Sequence, residues 1–105
     1  MTAERWATFS LATQLMNIES ELARAESLQA KNDQQHAQSC LFRALELASF
    51  SAFGGAPAKQ RKELRRLYEV IADLSQNTSE YGVSLSQLRQ LLQPFAKLVA
   101  LERGV

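Results

Sequence analysis

The stretch LATQLMNIESELARA, residues 11–25, carries apolar side chains at Leu11, Leu15, Ile18, Leu22 and Ala25. Steps of four, three, four and three put all five on one stripe of an α-helix. A strand would scatter them over both faces, because its side chains alternate with period two. This stripe predicts a helix over 10–29. Downstream, Ala37, Leu41, Ala44 and Ala48 predict a helix over 33–50, and Leu64, Leu67, Ile71 and Leu74 one over 58–75. Leu85, Leu88, Leu92, Phe95 and Val99 predict a last helix over 85–101. Four amphipathic helices of similar length can hide their stripes together only by packing on one another. The expected fold class is therefore all-α, an antiparallel four-helix bundle forming a single domain over residues 1–105.

Composition agrees. The chain holds 16 Leu and 15 Ala against ten β-branched residues, a supply that favours helix over sheet. Its length suits one domain, and 46% hydrophobic residues suffice for a core. Twelve basic against eleven acidic residues leave a formal charge of +1, which argues against a surface built wholly for nucleic acid or anionic membrane. No apolar run approaches the roughly 18 residues of a membrane span. The N-terminal MTAERWATFS lacks a basic segment followed by an apolar one, so no export signal is expected. One cysteine, Cys40, forms no internal disulfide, and a reduced, cytoplasmic setting is expected.

The breaks between helices carry their own chemistry. Asp33, after Lys31 and Asn32, is placed to cap the second helix. Gly54-Gly55-Ala56-Pro57 ends that helix and opens the third. QNTSEYGV (76–83) is the longest polar connection, and Ser84 with Gln87 reads as a capping box. Pro94 removes a backbone donor and kinks or breaks the last helix.

Each chemical candidate has a plain structural reading beside the functional one. His36 and Cys40 lie one turn apart, so an imidazolium could favour a thiolate; Cys40 also falls beside the Leu41 stripe, as a small buried residue would. Glu19, Glu21, Glu26, Glu46, Glu69 and Asp73 spread over three helices, but none is followed three residues later by the His that a di-metal bundle site uses. No metal and no cofactor are expected. Charged pairs recur at i,i+3: Glu21/Arg24, Arg43/Glu46 and Arg66/Glu69. They read as solvated intrahelical ion pairs, or as faces that meet in a charged interface. KQRKELRR (59–66) places Lys59, Arg61, Lys62, Arg65 and Arg66 at the start of the third helix, where the macrodipole disfavours cations. This run is either a solvated face or a seat for an anionic partner, and no aromatic residue interrupts it. Phe42 and Phe50 widen the apolar arc of the second helix, which makes that helix central or half of an interface.

The stretches 10–33, 41–50, 61–73 and 79–100 resemble a group of short bacterial all-helical proteins. The likeness is carried most specifically by the Glu21/Arg24, Arg43/Glu46 and Arg66/Glu69/Asp73 sets. It implies a helical bundle and brings no active site. A weaker likeness is to HEPN-type helical domains, whose nuclease motif places His four to six residues after Arg; here Arg24 precedes His36 by twelve. The expectation is a non-catalytic cytoplasmic interaction or structural module, not an enzyme, that self-associates as a dimer or binds another protein. The alternative is a module binding RNA or a nucleotide-bearing partner through Lys59, Arg61, Lys62, Arg65 and Arg66.

Overall fold

A computed structural model of the chain describes residues 1–77, 80–95 and 101. Among the described residues it is all-helical, with α1 (Ala3–Ala7), α2 (Leu11–Ala30), α3 (Gln34–Phe53), α4 (Ala58–Gln76) and α5 (Leu85–Leu92). The Cα radius of gyration is 13.5 Å, close to the roughly 13 Å of a compact chain this long. α3 packs against α1, α2 and α4, while α5 lies on α2.

The stripes meet in one core built on Ile18, Leu22, Leu41, Ala44 and Ile71, with Leu15, Leu64, Leu88 and Leu92 around them. Alanine lines the α2 and α3 faces at Ala25, Ala44, Ala48 and Ala52, all at most 1% exposed. Small side chains there let two helix backbones come close. Among the described residues, no helix is long and apolar enough to cross a membrane.

The caps form as their residue types dictate. Ser10 Oγ accepts from the Thr13 amide at 3.2 Å and Asp33 Oδ1 from the His36 amide at 3.3 Å. At α5, Ser84 Oγ accepts from the Gln87 amide at 3.1 Å while Ser84 N donates to Gln87 Oε1 at 2.8 Å, a complete capping box.

Three boundaries differ from the expected ones. α1 was not expected, since five residues are too few to show a period. Thr2 caps it by accepting from the Arg5 amide at 3.2 Å, and Trp6 pins it to the core. α3 runs three residues past Phe50, and its added turn buries Ser51 and Ala52. α5 ends at Leu92, with a turn at Gln93 just before Pro94, so the expected helix over 85–101 is interrupted there. The part of that expectation on residues 96–100, Val99 included, lies outside the described residues.

Gly54 closes α3 under a steric constraint. A Cβ there would stand 2.3 Å from the Phe50 carbonyl oxygen, a backbone atom that cannot swing aside. Gly54→Ala is expected to destabilise the fold by about 1–3 kcal/mol, the cost of an overpacked contact. A thermal melt followed by circular dichroism checks this; an unchanged midpoint would show that the α3 end relaxes freely.

Candidate functional site

The charged residues sort into two kinds, those held by the fold and those left open. Glu21 belongs to the first kind. Although its wheel position reads as solvated, it is 8% exposed because α3 lies over it. Its carboxylate takes Arg24 from its own helix and Arg43 Nε from α3 at 2.8 Å. That partner holds the Arg43 guanidinium above its usual range, chiefly through the Glu21 hydrogen bond. Arg43 pairs with Glu21 rather than with Glu46, which lines the same concavity and makes no ion pair with any described residue.

Arg89 is the second tie, and the sequence pattern did not reveal it. It pairs with Glu19 and, at 2.6 Å, with Glu26, joining α5 to α2. Glu19, then Glu26, raises the Arg89 pKa through these hydrogen bonds. Asp73 is 6% exposed and spends its carboxylate on the chain after α4, accepting from the Glu80 amide at 2.8 Å and the Tyr81 amide at 3.3 Å. Glu69 accepts from the Tyr81 hydroxyl at 2.6 Å, which pushes the Tyr81 pKa up. It is not ion-paired with Arg66. Of the three i,i+3 pairs, only Glu21/Arg24 forms.

His36 and Cys40 are not joined. His36 Nδ1 lies 2.7 Å from Asp33 Oδ2, a contact that lowers the Asp33 pKa, while buried Cys40 receives Arg43 Nη2 on Sγ at 3.2 Å. No group of three or more His, Cys, Asp or Glu able to hold a metal occurs among the described residues.

Of the concave regions among the described residues, three bear on the candidates that remain. One, about 690 Å³, lies where α1, the end of α3 and the start of α4 converge. Three of its polar side chains are spent on one another: Trp6 Nε1 donates to Ser51 Oγ at 2.9 Å, and Ser51 Oγ to Gln14 Oε1 at 2.7 Å. Gln14 Nε2 in turn donates to the Trp6 and Phe9 carbonyls, each at 3.1 Å. That relay is a brace, and it spends the Trp6, Ser51 and Gln14 side chains within the fold.

The second, about 480 Å³, is a groove between α4 and α5 floored by Leu15, Leu64, Leu67, Val70, Leu88 and Leu92. Its rim carries Lys59, Gln60, Glu63 and Arg66 on the α4 side and Leu91, 68% exposed, on the α5 side. A leucine that open beside an apolar trough was not visible on the wheel, because the trough exists only where two helices stand apart.

The third is a shallow basic pocket of about 450 Å³ lined by Ala58, Arg61, Lys62, Arg65, Arg66 and Glu69. Lys59 points to the groove side instead. Beside this pocket stands Phe53, 58% exposed, with Tyr68 edge-on at 5.2 Å. The sequence run holds no aromatic residue, yet the turn between α3 and α4 brings one to it.

No protein-family model matches the sequence, and neither does any curated protein or solved structure.

Proposed function

We propose that the chain is a non-catalytic interaction module: an antiparallel four-helix bundle, braced by α1, that pairs with a second copy through the α4–α5 groove. Contacts that join the start of one helix to the end of the next support the antiparallel order. Gln14 meets Ser51, and Gln38 meets the Ser75 carbonyl. Burial without a disulfide partner at Cys40 suits a reducing, cytoplasmic setting.

One observation carries the pairing. Leu91 is a wall of the apolar groove and yet is left 68% exposed by its own chain. A two-fold arrangement lets each Leu91 enter the other copy's groove, so one patch serves as both knob and hole, as an isologous interface requires. The apolar floor with a Lys59, Glu63 and Arg66 rim has the usual division of a protein interface. α3 supplies a weaker surface. Its wide apolar arc is taken up by three neighbouring helices, leaving Phe42, 54% exposed, and Phe53 at its C-terminal end as separate rings rather than a trough.

Leu91→Asp tests the reading, with Phe42→Asp as its control. An aspartate driven into an apolar hole is expected to cost about 2 kcal/mol or more, weakening self-association by roughly thirtyfold, while Phe42→Asp leaves it unchanged. Sedimentation equilibrium reads both constants. The reverse pattern would move the interface to α3, and equal constants for all three proteins would remove the groove from any association.

A further inference from the structure

We infer that the basic pocket on the first turns of α4 binds the phosphate backbone of a single-stranded polynucleotide, with Phe53 beside it as a stacking platform. The argument starts from how its cations are held. Arg24, Arg43 and Arg89 are each fixed by a carboxylate, so their charge is spent within the fold. Arg61, Lys62, Arg65 and Arg66 make no ion pair with any described residue. Two of them are nonetheless anchored, by partners that leave the charge whole. Arg65 lies over the Phe53 ring, its guanidinium carbon 5.3 Å from the centroid, and Arg61 Nη2 reaches the Ala56 carbonyl at 3.4 Å. A guanidinium lying over a ring keeps its in-plane N–H donors free, the geometry that grips phosphate. The one carboxylate in the pocket, Glu69, already accepts from the Tyr81 hydroxyl.

Spacing adds to this. Arg61 with Arg65, and Lys62 with Arg66, are one turn apart, about 6 Å along the helix axis. Two rows of donors so placed can follow successive phosphates of an extended strand. The helix start contributes positive potential of its own. An acidic peptide would use the charge but not the ring. Phe53, 58% exposed and steadied by Tyr68, offers what a nucleic acid also brings, an unpaired base to stack. Duplexes keep their bases stacked on one another, so the single strand is the fitting form.

The test is fluorescence anisotropy of a short fluorescein-labelled RNA of mixed sequence with the whole chain, from roughly 50 to 200 mM salt. Binding is expected at low salt, with log K falling against log salt at a slope of about −2 to −3, three to four phosphates at about 0.7 each. The R61E/R65E double variant is expected to weaken binding by roughly tenfold or more, and Phe53→Ala by roughly fivefold or more through lost stacking. R61Q/R65Q, which removes charge without reversing it, is expected to fall between wild type and R61E/R65E. It supplies the comparison if the reversal disturbs folding by circular dichroism. No anisotropy change at low salt, or wild-type binding by either double variant, would overturn the inference. Displacement of the RNA by polyglutamate as readily as by unlabelled RNA would also overturn it, in favour of an acidic protein partner.

Discussion

Replacing Trp6 by alanine lowers the free energy of unfolding by about 3–5 kcal/mol, a large share of what a domain this size possesses. Trp6 is 1% exposed and lies in the five-residue α1, which no propensity would hold together alone. Its indole packs edge-on to Phe9, ring centroids 5.9 Å apart, and donates to Ser51 Oγ at 2.9 Å. Truncation opens a cavity at the α1–α3 contact and strips one partner from the Ser51–Gln14 relay. Trp6→Phe separates the two effects: it keeps most of the volume and loses the donor, at about 1–2 kcal/mol. Urea unfolding followed by circular dichroism measures both, since the only indole is the one removed. A loss under about 1 kcal/mol for the alanine variant would mean that α1 is peripheral to folding.

Arg89→Ala has the next largest effect, about 2–3 kcal/mol. Glu19 has a side chain 9% exposed, so losing its partner strands a carboxylate in the interface between α2 and α5. Breaking fully buried pairs costs about 3–5 kcal/mol; Arg89, at 29% side-chain exposure, keeps some solvent screening and warrants the lower figure. The E19L/R89L double variant is expected to recover most of the loss, because it removes both charges and fills the same space. Chemical denaturation of the two variants decides. A double variant as damaged as the single one would show that Arg89 acts by packing rather than by charge.

Most of the framework was legible in the sequence. Four 3.6-period stripes, the Asp33 cap and the Ser84/Gln87 box are local features, written within a turn or two of chain. What escaped was non-local or too short. α1 spans five residues and shows no stripe, although Trp6 and its Thr2 cap could have raised the question. Glu21 meets Arg43 and Arg89 meets Glu19 only once helices are packed, at separations of 22 and 70 residues. The i,i+3 spacing at Arg43/Glu46 and Arg66/Glu69 allowed either intrahelical pairs or faces that meet; Arg43 and Glu69 take partners on other elements, so the intrahelical pairs do not form. The basic run on α4 was plain in the sequence. Its aromatic neighbour, Phe53, comes from the far side of the Gly54–Pro57 turn, where one-dimensional reading sees a separate helix.

Pairing through the α4–α5 groove is the central claim, and the solution mass of the wild-type chain tests it most directly. Light scattering on purified protein at rising concentration is predicted to approach twice the chain mass of 11.7 kDa. A mass that stays at 11.7 kDa at every concentration would contradict it.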